Sequence, residues 1–358
     1  MDEQQDSGQS RGSRRHTIRD VAARAGVSVA TVSRVLAGNY PVAADTRARV
    51  VKAVQEMDYV VNAHARSLAG VGVETVAILI DNITGPSFAH IAEGVELEAA
   101  ARGRLSLVCT THGNPERELA LVDLLRQQQA AAVILVGGAH DLDEYQVRMA
   151  RFARSLDAAG SRLVLCGRPP LRADTAATVV DYDNEGGAFA MTSHLLSAGH
   201  RRILALPGEE GLTTAVGRLA GYRRALAAHG VAEDPELVAW GPYTRRFGQR
   251  AIEEMLARGV EFTAVFAGTD IVASGVLEAL REAGIDVPGD VSLAGYDDIP
   301  LAADLFPKLT TVHVPYEEMG RTAVRLALDR RDREVEDRAV LGTHIVVRRS
   351  VAPPPVRA

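Results

Sequence analysis

The chain has little of what most enzymes and all membrane proteins need. Its only cysteines, Cys109 and Cys166, each close an apolar run (LSLVC, RLVLC). Without a CxxC pair or metal-ligand spacing they read as reduced, buried thiols at strand ends. No apolar run is long enough to span a bilayer, and the start lacks a secretion signal. A cytoplasmic protein without membrane contact is expected. Gly70-Val71-Gly72 is a fragment of GxGxxG, but it precedes a strand and lacks the third glycine. There is no P-loop and no GxSxG, and His112, His194 and His200 have no neighbouring nucleophile. The sequence therefore predicts neither an enzyme nor a bound metal or cofactor.

Charge is present but unevenly placed. The net charge is −6 over 358 residues, yet residues 11–70 carry ten Arg and Lys against four acids. One end suits nucleic acid and the acidic remainder does not. A chain of this length needs two or three domains.

Residues 17–36, TIRDVAARAGVSVATVSRVL, predict a helix, a tight turn and a second helix. Ile18, Val21, Ala22 and Ala25 form one apolar stripe. Thr17 and Asp20 have capping-box spacing, Gly26 supplies the left-handed stop, and Ser28 caps the second helix. Val32, Val35 and Leu36 face inward. The outer face carries Val29, Ala30, Thr31, Ser33 and Arg34, small residues and one long cation, as a helix pressed against base edges requires. Residues 45–57 predict a third helix with Val50, Val51, Val54 and Met57 as its core face.

TIRDVAARAGVSVATVSRVLAG, followed by TRARVVKAVQEMDYVVNAHARSLAG, closely resembles the head and hinge of the LacI/GalR (lactose-repressor) family of bacterial transcription regulators, and the likeness continues to about residue 350. The resemblance implies a disordered tail over 1–16, a helix-turn-helix domain over 17–60 and a hinge over 61–72. The loop 37–44, including Asn39, would approach the DNA backbone. Two or so helical turns from Asn62, too short to be stable alone, would enter the minor groove with Ala65 facing it and Leu68 as the wedge. Val61 stands where the family usually has proline.

From residue 74 strand-like and helix-like segments alternate. ETVAILID, LSLVCTT, AAVILVGG and RLVLCG make a first series; TVVDYDN, RRILALPG, ELVAWG, TAVFAGT and VSLAGYDD make a second. Two doubly wound parallel-sheet lobes are expected, resembling the periplasmic-binding-protein-like core of the family. By that likeness the effector-binding and dimerisation domain covers 73–352, the first lobe being 73–166 with 316–339 and the second 167–315 with 340–352, followed by a short tail.

Ligands of open parallel sheets bind beyond the carboxyl ends of the strands. Asp81, Phe88, Thr269, Asp270 and Asp297 fall there. The resemblance makes Arg218 and Asp297 the polar clamps, Tyr243 the aromatic platform, and Thr214 and Phe88 walls. A guanidinium, a carboxylate and an aromatic face suit a sugar. Structural readings stay open: Arg218 paired with Asp297, Tyr243 a core aromatic, and Asp298 a cap for the next segment. Thr269 and Val314 replace an asparagine and a glutamine common in the family, so ligand identity does not carry over.

The implied function is a homodimeric, sequence-specific repressor of carbohydrate-use genes that reads a near-palindromic DNA operator and responds to a small sugar-like effector. A purine or sugar-phosphate regulator is the alternative, with a sugar-binding protein or nucleotide-dependent enzyme as readings of another class. Leu68→Gly should weaken binding to the operator at least tenfold, about 1.4 kcal/mol, while leaving binding to scrambled duplex little changed. Equal losses on both duplexes in parallel titrations would remove the wedge.

Overall fold

The computed structural model describes residues 16–37, 40–59, 75–172, 175–329 and 337–355. The chain divides into two compact units, 1–73 and 74–358. The hinge residues Asn62, Ala65 and Leu68, and Asn39 in the preceding loop, lie outside the described residues.

The first unit contains α1 (Ile18–Ala25), α2 (Val29–Ala37) and α3 (Ala44–Glu56). Thr17 and Asp20 form the expected reciprocal capping box, and Gly26 ends α1 at φ 65°. The Ser28 hydroxyl accepts from the Thr31 amide at 3.1 Å. Val21, Ala22, Ala25, Val32, Val35, Val50 and Ala53 form the core. Val51 was expected in that core but is 42% exposed. It lies one residue, 100° of helix rotation, off the stripe that Val50, Ala53, Val54 and Met57 share.

The second unit holds two sheets. The first is built from β1 (Thr75–Ile80), β2 (Leu105–Thr110), β3 (Ala132–Val136), β4 (Arg162–Cys166), β5 (Thr178–Tyr182) and β10 (Arg338–Leu341). Its order is β10-β5-β4-β3-β1-β2, parallel throughout. The second comprises β6 (Ile203–Leu206), β7 (Ala264–Ala267), β8 (Ser292–Asp297), β9 (Thr310–His313) and β11 (His344–Val346), ordered β11-β9-β8-β7-β6. Only β11 runs antiparallel. Val76 to Ile80 are all buried because both faces of the sheet are covered, which explains the unbroken apolar run.

Two expectations need correction. TVVDY opens no second series: Val164 to Cys166 pair with Thr178 to Val180, so this strand belongs to the first lobe. The lobes are accordingly 75–182 with 316–341, and 184–313 with 344–352. ELVAWG is not a strand. Pro235–Leu237 is a single 3-10 turn, and Val238 makes one isolated bridge to Ala205, because proline fixes the turn where a ladder would begin.

Helices α4 (Pro86–Ala101) and α12 (Tyr316–Leu328) cross closely on the first sheet. The crossing depends on Gly94 and Gly320: a Cβ on either would overlap the opposite backbone, at Glu317 or Ile91. This fixes the amino end of α12, and with it Tyr316. Helix α7 (Asn184–Ser197) packs on α8 (Thr213–Ala228), and α9 (Arg245–Ala257) on α10 (Asp270–Glu282), over the second sheet.

Asp270 is fully buried at the start of α10. Its carboxylate accepts from the Ile299 amide at 2.9 Å and from the Thr311 hydroxyl, joining α10, the turn after β8, and β9. Burial pushes its pKa well above the carboxylate range, with Asp297 adding to the effect. An acid raised on folding stabilises below its unfolded pKa of about 3.9 and loses that contribution as pH rises towards its folded value. Asp270→Ala should destabilise the fold by roughly 1–3 kcal/mol for each orphaned donor. Asp270→Asn, keeping one acceptor and no charge, should cost less and abolish this group's pH slope. Denaturant titrations between pH 4 and 8 measure both.

Candidate effector cleft and DNA-facing helix

The outward face of α2 is small and polar. Ser28, Val29, Ala30, Ser33 and Arg34 are exposed, as is Thr17 at the start of α1, while Thr31 is half-buried with its hydroxyl 2.9 Å from that of Ser28. The Arg34 guanidinium lies 5.8 Å from the exposed ring of Tyr40, a neighbour that the sequence reading did not single out. Several head cations are engaged inside the unit. Arg24 pairs with Glu56 at 2.7 Å, Lys52 approaches the same carboxylate, and Arg49 reaches Asp45 and the Ala25 carbonyl. The Arg24–Glu56 and Arg49–Ala25 contacts join α1 to α3 and the other two lie within α3, so the local charge overstates what a phosphate would meet.

Between the lobes of the second unit lies a cavity of about 590 Å³ at the carboxyl ends of both sheets. Asp81, Phe88, Thr214, Arg218, Tyr243, Thr269 and Asp297 all line it. Asp270 does not; it is committed to the structural tie described above.

The clamp residues already hold each other. Arg218 Nη2 donates to Asp297 Oδ1 at 3.4 Å and to the Tyr182 hydroxyl at 2.9 Å, Nε to Asn184 Oδ1 at 3.1 Å, and Nη1 to the Gly268 carbonyl. Its guanidinium lies 4.0 Å from the Tyr296 ring centroid and 5.3 Å from that of Tyr243, favourable for a desolvated cation. Asp297 also accepts from the Tyr316 hydroxyl at 2.7 Å and, more weakly, from Ser87 at 3.4 Å. Burial holds its carboxyl above the ordinary range despite Arg218. Tyr182, Tyr316 and Ser87 belong to the first lobe; Arg218 and Asp297 belong to the second. The cluster therefore ties the lobes together.

Asp297 and Asp298 both have positive φ, 105° and 56°, a strained pair for non-glycine residues. Their partners hold the strain. Asp298 does not cap the following segment; that amide belongs to Asp270, and Asp298 instead pairs with Arg348 at 2.7 Å and His313 at 3.0 Å. Tyr243 is not a core aromatic with its hydroxyl in water, since that group donates to the Pro207 carbonyl at 2.9 Å. Gly208, at φ 129°, leaves the room that the ring occupies. Thr269 caps α10 through the Val272 amide at 3.2 Å.

The sequence reading missed the first-lobe half of this cluster. Tyr182 stands at the end of β5 and obeys the strand-end rule, but TVVDY had been placed in the other lobe. It also missed a second tie on the cleft rim. Ala139 and Thr213 exchange backbone and side-chain hydrogen bonds at 3.1 Å, His140 bridges Leu212, and His140 Nε2 lies 3.9 Å from Glu209. Among the described residues no cluster of His, Cys, Asp and Glu could hold a metal. His200 is held by Thr263 and the Ala352 carbonyl, and no described helix is long and apolar enough to cross a membrane.

Residues 17–62 match the family model for bacterial regulatory proteins of the lacI family, and 192–351 match a periplasmic binding protein-like domain. The HTH-type transcriptional regulator CelR of Thermobifida fusca is 37% identical over 344 residues, 94% of this chain and 98% of its own length. The HTH-type transcriptional repressor PurR of Erwinia tasmaniensis is 35% identical, covering 95% and 98%. A solved CelR–cellobiose complex is 35% identical with a TM-score of 0.67, covering 94% of this chain and 100% of that one. The Lac repressor dimer bound to operator and the anti-inducer ONPF, 24% identical, shares the fold with a TM-score of 0.80 over 95% of this chain and 100% of that one. Capped tri-helical head, two-lobed α/β core and full-length likeness agree: the chain belongs to the LacI family of DNA-binding transcription regulators.

Proposed function

We propose that this chain is a cytoplasmic, homodimeric repressor of carbohydrate-utilisation genes, governed by a small sugar-like effector held between the core lobes. The observation that carries this reading is the cross-lobe cluster of Arg218, Asp297, Tyr182 and Tyr316. A ligand binding there competes with or completes contacts between lobes, and so acts on their closure. The cellobiose complex of a relative supports a sugar, while the PurR relatives keep a purine as the second reading. The regulator relatives support a binding role for the cleft, and we assign it no catalysis.

A second copy is the partner that the first sheet suits. Its edge strand β2 exposes Leu105 (62%), Leu107 and Val108, with Leu97 of α4 also exposed. An apolar unpaired edge is a liability unless something covers it. A dimer sets two heads on a near-palindromic operator, and lobe closure would alter the spacing of the two hinges over 62–69.

Arg34 makes the hydrogen-bonded base contact, most simply to guanine, with Val29 and Ala30 against thymine methyls. Thr17, Ser28, Thr31 and Ser33 position the helix on phosphates, with Asn39 in the loop. Arg34→Ala should cost about 1–3 kcal/mol on the operator and relax preference at one base position; unchanged preference in a scrambled-site assay would remove that assignment. Asp297→Ala, which deprives Arg218, Tyr316 and Ser87 of their shared acceptor, should abolish effector binding by calorimetry with operator binding retained. Retained effector affinity would move the site.

A further inference from the structure

Outside the interlobe cleft, the second lobe carries a groove of about 240 Å³ between α9 and the stretch that runs from the 3-10 turn Pro235–Leu237 to the start of that helix. One wall is apolar and is made by Trp240, Pro242 and Phe247. The other is a ridge of α9 on which Arg246, Arg250 and Glu254 follow at four-residue intervals. Side chains spaced in this way share one helix face, their Cβ atoms about 5–6 Å apart. Past the ridge, Arg258 reaches back to Glu236 at 3.1 Å and ties the end of the helix to the start of the stretch.

The backbone beneath the apolar wall is fixed. The Phe247 ring lies so close over Gly241 that a Cβ there would overlap it. The Thr244 hydroxyl accepts from the Phe247 amide at 3.2 Å, and the Gly241 amide donates to the Gly208 carbonyl at 3.0 Å. Trp240 is half-buried, yet among the described residues its indole meets no other ring and no guanidinium, and its N–H has no acceptor. A half-buried indole ordinarily finds such a partner.

The charged wall is equally unfinished. Arg246 is exposed and has neither an ion pair nor a hydrogen bond among the described residues, whereas its neighbour Arg245 is held by Glu278 at 2.9 Å. Arg250 holds only Glu254, at 3.2 Å, and both side chains are largely exposed. An exposed pair of that kind contributes little, so Arg250 readily exchanges Glu254 for a better-placed anion. Two guanidiniums against one carboxylate leave the groove positive on a chain whose net charge is −6.

A free indole face beside an unpaired guanidinium defines its own complement: a flat ring to lie on Trp240, and an anionic group to take the forks of Arg246 and Arg250. The volume is near eight water molecules at about 30 Å³ each, room for one ring and its charged group. A neutral sugar would leave both guanidiniums unanswered, and a bare anion would leave the indole uncovered. The groove backs on the effector cleft without joining it: Pro242 and Thr244 touch both spaces, and Tyr243 between them lines only the cleft.

We infer that this groove is a second small-molecule site, which takes an aromatic ring bearing a carboxylate or a phosphate. Trp240 is the chain's only tryptophan, so its emission reports on the groove in the intact protein. The full chain is titrated, by calorimetry and by that emission, with benzoate, 4-hydroxybenzoate and AMP. Benzamide and adenosine serve as uncharged counterparts, acetate and inorganic phosphate as ringless ones. At least one aromatic anion should bind more tightly than about 1 mM, change the emission, and exceed its uncharged and ringless counterparts at least tenfold. A winning benzoate points to an aromatic acid and a winning AMP to a nucleotide. Arg246→Gln with Arg250→Gln should weaken that binding at least tenfold and leave the thermal unfolding midpoint unchanged, whereas Asp297→Asn in the cleft should leave affinity within twofold. Binding lost in Asp297→Asn but kept in the double arginine variant puts the anion in the cleft and overturns the inference. Equal binding of charged and uncharged rings, or binding by none of the three aromatic anions, overturns it as well.

Discussion

The core is arranged around a guanidinium that has almost no water. Arg218 is 2% exposed, and an unpaired charge at that depth costs several kcal/mol. The fold meets this cost by surrounding the cation with a carboxylate, a carbonyl, an amide oxygen, a phenol and two aromatic faces. All of those partners but one belong to the second lobe; the phenol of Tyr182 comes from the first and carries the cation's contact across the cleft. Removing any one leaves the others imperfectly satisfied. The strained Asp297 backbone is one consequence, since its carboxylate must reach Arg218 and Tyr316 together. The close Gly94–Gly320 crossing is another, since it delivers Tyr316 to the junction.

The head solves a different problem with different means. Its three short helices gather seven buried small or branched apolar side chains, with Ile18, Leu36, Val54 and Met57 among those packed around them, and caps close the ends of α1 and α2. The capping box, Gly26 and the Arg24–Glu56 pair all stiffen the approach to α2 without touching its outer face. That face stays free of bulky groups except Arg34. Several head arginines are paired within the unit, and Arg34 is the long cation among the small exposed residues of α2.

Local patterns were legible wherever one segment determines its own fate. The capping box, the glycine stop, the buried central strands and seven of the eight residues expected in the cleft follow from spacing, strand ends and family likeness, whereas LSLVC, read as ending in a buried thiol, forms an exposed edge strand with Cys109 half-buried. What failed was pairing at a distance. TVVDY looks the same whichever sheet it joins, and only its register with β4 assigns it. Asp270 and Asp298 are both acids beside strand ends. Which one caps residue 299 depends on Arg348 and His313 drawing Asp298 away, and nothing near Asp298 in sequence announces Arg348. Val51 failed for a simpler reason: in a run of two valines the stripe can take either, and Ala53, not a second valine, completes it.

The number of contacts between lobes sets how strongly a ligand can act. Arg218 to Tyr182, Tyr316 to Asp297, Ser87 to Asp297 and the Ala139–Thr213 exchange are individually worth about 0.5–1.5 kcal/mol net, more where charge is involved. Their sum is of the same order as the ~5.5 kcal/mol that carries a two-state equilibrium from one extreme to the other. A ligand of micromolar affinity has about 8 kcal/mol available. Its control over closure depends on the fraction of that energy that differs between open and closed lobes. A ligand bridging both lobes realises much of its binding energy only when they close, whereas one seated wholly on the second lobe binds either state alike. In this cleft Asp297 of the second lobe is held by Tyr316 and Ser87 of the first, so a ligand that takes its lone pairs must join or displace bonds that already cross between the lobes.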